Sequence, residues 1–125
     1  MANSSFNLHE PKTDLTVTTG SVNFTIRSYY AYREGRRVHA EVYGDIKVDT
    51  SSGSTFPYFT VNGIQRPSSD IKVGTMILMN SSANPIYVIP GLAYLQTNGY
   101  FTQKAAANLT ANQRLGFIVD YIEDF

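Results

Sequence analysis

The chain has 125 residues, ten Lys or Arg balanced by ten Asp or Glu, and no Cys. That length fits one domain, the missing thiols exclude a disulfide framework and a thiolate metal site, and the neutral balance lacks the basic surface a nucleic-acid binder needs. No run of about 18 apolar residues occurs, so no membrane-spanning helix or membrane insertion is expected.

Residues 1–14 are polar and lack the apolar core of a signal peptide. They read as a linker or neck, with the folded domain at 15–125. Clusters of Gly, Pro, Asn and Ser then divide the chain into short β-prone runs: 15–19, 22–32, 37–48, 56–61, 75–80, 86–89, 92–96, 99–103 and 114–122. One helical turn is expected at 103–107. This many short strands predict an all-β domain, an antiparallel β-sandwich.

The sharpest local expectation is a hairpin of 22–32 with 37–48. Val22, Phe24 and Ile26 share one face of the first strand; Val38, Ala40, Val42, Ile46 and Val48 share one face of the second. A three-residue loop Arg33-Glu34-Gly35 brings these faces into coincidence, pairing Tyr30 with Val38 and Ile26 with Val42. The outward pairs are then Tyr29 with His39, Arg27 with Glu41 and Thr25 with Tyr43. A two-residue loop would set apolar opposite polar and is rejected.

The runs 75–79, 86–89 and 115–119 are apolar on both faces, where a sheet with one wet face should alternate. A symmetry-related copy is the natural cover for the second face. Self-association is therefore expected, with Ile77, Met79, Ile118 and Ile122 at the interface between copies.

Catalytic patterns are missing, and the chain is read as a non-enzyme without a cofactor. His9 and His39 are the available imidazoles, and neither a Gly-x-Ser-x-Gly elbow nor a Gly-rich phosphate loop is present. Glu41 and Asp45 lie about 13 Å apart at strand rise, beyond the separation that glycosidases use. His39-x-Glu41 supplies two potential metal ligands, too few for a site. Glu123-Asp124 reads as a solvated end.

Sugars are read by aromatic faces together with planar polar groups. Arg27, Tyr29, His39, Glu41, Tyr43 and Asp45 form such a set on the outer hairpin face, and the loop 51–58, where Phe56 and Tyr58 flank Pro57, is a second candidate. Tyr94, Tyr100 and Arg66 are a further candidate set. Arg27, Tyr29, His39, Glu41, Tyr43 and Tyr58 are thus the expected saccharide residues.

The run from Phe56 to Ile122 carries a recurring arrangement. Pro57-Tyr58-Phe59-Thr60-Val61 enters a strand, and Gln65-Arg66-Pro67-Ser68-Ser69-Asp70 makes a turn. The apolar strand from Gly74 follows, then Ile86 to Pro90, Gly91-Leu92-Ala93-Tyr94-Leu95, Gly99-Tyr100-Phe101-Thr102 and a last apolar strand. In this the chain resembles the C-terminal head domains of tail receptor-binding proteins from phages of Gram-positive bacteria, over about two-thirds of its length. The resemblance implies a jelly-roll-like trimeric head at the tail tip or baseplate of the virion. Such a head joins other baseplate proteins through its N-terminal side and binds host cell-surface polysaccharide or teichoic acid outside the cell. Related heads often place a Trp in the sugar site, and this chain has none. The competing expectation is a structural tail or decoration protein of the same fold without a glycan site.

Overall fold

The structure is a computed structural model that describes residues 11–51, 56–79, 91–105 and 108–125, with side-chain burial described for all of these except 104–105. Nine strands run in chain order: β1 (Lys12–Asp14), β2 (Val17–Thr19), β3 (Phe24–Glu34), β4 (Arg37–Ile46), β5 (Phe59–Val61), β6 (Ile71–Met79), β7 (Gly91–Leu95), β8 (Phe101–Ala105) and β9 (Arg114–Ile122). No helix is found among the described residues, and Gln103, expected in a helical turn, lies within β8. The expected strand at 86–89 falls outside the described residues. Lys12–Asp14, assigned to the linker from sequence, forms an edge strand against β3.

All nine strands belong to one antiparallel sheet ordered β1-β3-β4-β9-β6-β7-β8-β5-β2, where two stacked sheets were expected. The sheet curls into a half-barrel. Its two edge strands, β1 and β2, are separated in the chain by Leu15 and Thr16 alone. The segment therefore crosses from one edge of the sheet to the other, pairing with β3 and then with β5.

The curl encloses an aromatic core. Phe117 on β9 and Phe59 on β5 have three strands between them in the sheet order, yet their rings meet at 5.3 Å. Phe59 stacks on Phe101 at 4.7 Å, and Phe24 meets Tyr58 edge-on at 5.3 Å. Val38, Ala40, Val42, Ile46, Met76, Leu115 and Val119 complete this inner face. Truncating a ring such as Phe117 to Ala would cost about 3–5 kcal/mol, because neighbours on both walls would lose contacts.

The hairpin differs from its sequence-based expectation. Glu34 pairs with Arg37, so the connection is the two-residue turn Gly35-Arg36. Gly35 has φ +59° while Arg36 stays at negative φ, the pattern of a turn that takes Gly at its first central position. Alternation is rescued by a β-bulge: Ile26 pairs with Gly44 and Ser28 with Tyr43, leaving Arg27 as the extra residue. Phe24 and Ile26 therefore turn inward at even positions, and Ala31 at an odd one. Tyr29 comes to lie opposite Val42, and Arg27 reaches Asp45 instead of Glu41.

Of the C-terminal pair expected to be solvated, Asp124 is exposed and Glu123 is not. Glu123 is buried, where it pairs with Arg33 and accepts the Gln65 backbone N–H at 2.7 Å. These partners offset the desolvation of its carboxylate.

Candidate functional site

The register of three strands builds the outer face. The two-residue turn sets Tyr32 opposite His39 and Tyr30 opposite Glu41. β9 lies on the other side of β4 and sets Asp120 opposite His39 and Ile118 opposite Glu41. Side chains from Tyr32, His39 and Asp120 therefore form one row across the sheet, and Tyr30, Glu41 and Ile118 form the next.

His39 is held on both sides. Its Nε2 lies 2.8 Å from Glu41 Oε2, and its Nδ1 lies 2.8 Å from Asp120 Oδ2. Tyr43 donates its hydroxyl to Glu41 Oε1 at 3.0 Å. Arg37 grips Asp120 with two parallel bonds, Nε to Oδ1 at 3.0 Å and a terminal nitrogen to Oδ2 at 2.6 Å. The hydrogen bond from Arg37 lowers the pKa of Asp120 against a smaller opposing effect of burial. The bond from His39 does the same for Glu41. Both groups are thus carboxylates across the neutral range, able to accept hydroxyl donors.

The aromatic part is graded in exposure. Tyr32 is buried on this face, stacked on His39 and lying under the Lys12 ammonium, which is 4.4 Å from its ring centre. Tyr30 leans against both rings and stays 50 % exposed. Beyond Tyr30 the chain of β1 peels away from β3. A hollow of about 380 Å³ opens there, lined by Asp14, Leu15, Thr16, Tyr29, Tyr30 and Ala31. That volume lies within the range of small-ligand sites. Tyr30 thus borders both the hollow and the His39 cluster.

His39, Glu41 and Tyr43 come together as expected from their alternate spacing on β4. Tyr29 reaches the hollow but projects from the opposite face of β3. Arg27, re-aimed by the bulge, pairs with Asp45 away from the cluster. Tyr58 is fully buried among Phe24, Phe56 and Phe117, which corrects its assignment to a binding surface. Residues 52–55 of the second candidate loop lie outside the described residues. In the third set, Arg66 packs against Gly99 beside a smaller cleft of about 230 Å³ that neither Tyr94 nor Tyr100 lines. Tyr30, Tyr32, Asp14 and Asp120 were not singled out from sequence. The run Tyr29-Tyr30-Ala31-Tyr32 before a Gly turn was the visible signal for the first two.

Of the expected interface residues, Ile77 and Ile118 are half-buried on the outer face. Tyr43 and Ile77 flank Gly116, where an added Cβ would come within 3.0 and 3.1 Å of them. The chain thus shields part of this face itself. Met79 is buried within the single chain, which leaves it little surface to offer a partner. Ile122 is exposed at the end of β9. No cluster of three or more metal-ligating side chains occurs among the described residues.

Comparison with family models, with curated proteins and with solved structures gives no match.

Proposed function

We propose that this domain is an adhesive head that binds saccharide through the Tyr30 surface, as the receptor-binding head of a phage tail. Its ligand is the polysaccharide or teichoic acid of a Gram-positive cell wall, met outside the cell. The observation that carries the reading is the position of Tyr30. Its half-exposed ring stands between a hollow bearing Asp14 and Thr16 and a fixed cluster of His39, Glu41 and Asp120. A pyranose presents an apolar C–H face to such a ring and pairs of hydroxyls to such carboxylates. The cluster is held in place by its own hydrogen bonds, so little ordering is lost on binding.

The jelly-roll-like trimer belongs to the same proposal. Ile77, Ile118 and Leu92 leave apolar surface on the outer face of β9, β6 and β7, the kind of stripe a second copy covers. One shallow site binds weakly, and three on each of many heads raise the overall strength through avidity. The same stripe favours the second reading, a structural tail or decoration protein that uses this face for assembly alone.

The purified domain, applied to an array of Gram-positive cell-wall polysaccharides, should retain a subset of them and block phage adsorption to cells bearing that subset. Retention of none, with adsorption unimpaired, would leave the structural reading.

A further inference from the structure

A second site lies at the opposite end of the β3–β4 hairpin, where the bulge throws Arg27 outward. Three cationic side chains converge there on one carboxylate. Arg27 donates to Asp45 Oδ2 from Nε at 2.9 Å and holds it with a terminal nitrogen at 2.8 Å. Arg114 donates from Nε to Oδ1 at 3.3 Å, and the Lys47 ammonium stands 3.9 Å from Oδ2. Asp45 is buried, while the side chains of Arg27 and Lys47 are 52 % and 42 % exposed. Burial would raise the pKa of Asp45, but its bonds and charge pairing with Arg27 and Arg114 outweigh that effect and keep it ionised.

These four residues, with Met79, Asn112 and Gln113, line a cleft of about 520 Å³. Three positive charges against one negative leave the lining at +2, in a chain whose formal net charge is zero. The local excess is therefore a concentrated feature of the surface. Two irregular backbone features frame it: the bulge at Arg27, and Asn112 in the left-handed region at φ +69°. Bulges re-aim side chains, and Asn tolerates left-handed geometry better than most residues. The buried carboxylate orients the guanidinium of Arg27, which lines the cleft and is half-exposed there.

We propose that this cleft is an oxyanion site for a phosphate group, held by Arg27 and Lys47 over the Asp45 template, with Asn112 at its rim. The guanidinium gives planar paired donors and the ammonium a point charge, the combination suited to phosphate oxygens. The site is separate from the Tyr30 surface and does not depend on saccharide binding there. A free phosphate monoester and a phosphodiester within a polymer share this chemistry.

The test is a titration of the whole chain, labelled with ¹⁵N, with inorganic phosphate and separately with dimethyl phosphate, using sodium chloride of matched ionic strength as reference. The Arg27 Nε–H resonance should shift saturably with at least one phosphate and not with chloride. A stronger response to inorganic phosphate points to a monoester, and a comparable response to dimethyl phosphate points to a diester. Lys47→Met leaves the Arg27–Asp45 pair in place, so the fold is retained. It should weaken phosphate binding about tenfold or more, the effect of losing a charge-assisted contact, while Tyr30→Ala leaves it unchanged. Shifts that match the chloride reference, or an affinity indifferent to Lys47→Met, would overturn the assignment.

Discussion

The rings of Tyr32 and His39 stack across the β3–β4 pair, with centres 5.1 Å apart and planes inclined at 27°. The contact exists because the hairpin turns in two residues. A three-residue turn would have moved every partner on β3 and put a different tyrosine in the row that ends at Asp120. The outer surface of the domain is thus decided at Gly35.

Gly35 sits at φ +59°, where a β-branched side chain is strained. Gly35→Val should lower stability by about 1–2 kcal/mol, read as a shift in the urea midpoint. Replacing Gly35-Arg36 by Asn-Gly, which suits another two-residue turn, should keep the midpoint and the Tyr32–His39 ring-current shifts. Loss of those shifts in the Asn-Gly variant would contradict the register.

Acid should unfold the domain through its paired carboxylates. Arg37 lowers the pKa of Asp120, and His39 lowers that of Glu41; at Asp45 the opposing effect of burial is overcome by Arg27 and Arg114. Each folded value lies below its ordinary one, so the stabilisation is complete above the ordinary values of 3.8 for Asp and 4.5 for Glu. It is lost as pH falls through the folded values. The urea midpoint should therefore hold steady from neutrality to about pH 5 and decline below about pH 4. Asp120→Asn should lower the neutral midpoint and flatten the acid decline. A decline that begins near neutrality would place the sensitive groups elsewhere.

Glu123 ties the chain end to the β3 hairpin and to the turn at Gln65. Glu123→Ala leaves Arg33 its bond to the Gly63 carbonyl but strands the Gln65 backbone N–H, and should cost about 1–3 kcal/mol. Glu123→Gln keeps an acceptor for Gln65 and should cost less. A fully stable Ala variant in thermal melts would show that the carboxylate is dispensable.

Assembly is tested on the outer stripe. The chain of 13.9 kDa should scatter light as three copies at micromolar concentration. Ile118→Asp, on the half-buried face between Glu41 and Thr75, should reduce it to one copy with its circular dichroism retained. A wild-type monomer, or a trimer indifferent to Ile118→Asp, would remove this face from the interface.

Much of the strand order was hidden, while individual strands were legible. β9 was expected at 114–122 and occupies those residues, because Leu115, Phe117 and Val119 mark it without interruption. The hairpin strands were placed to within two residues, yet their register was missed. Phe24 and Ile26 set one alternation and Ala31 the other, and a bulge between them satisfies both. A single chain read with uniform period cannot reveal that switch. At the site, His39, Glu41 and Tyr43 were visible because alternate residues of one strand share a face. Asp120 and Asp14 come from distant segments, and their arrival depends on pairing partners that local sequence does not encode. Tyr58 was misplaced because a Pro-flanked tyrosine looks like a loop residue, whereas the curl of the sheet folds it under Phe24.

The proposed saccharide adhesion rests on the exposed ring of Tyr30 and the fixed His39 beside it. The most direct measurement is calorimetric titration of the wild-type domain, Tyr30→Ala and His39→Ala with a cell-wall polysaccharide that the array retains. Each variant should bind at least about tenfold more weakly, a loss of roughly 1.4 kcal/mol or more, with its melting curve still cooperative. Affinity equal to wild type in both folded variants would contradict binding at this surface.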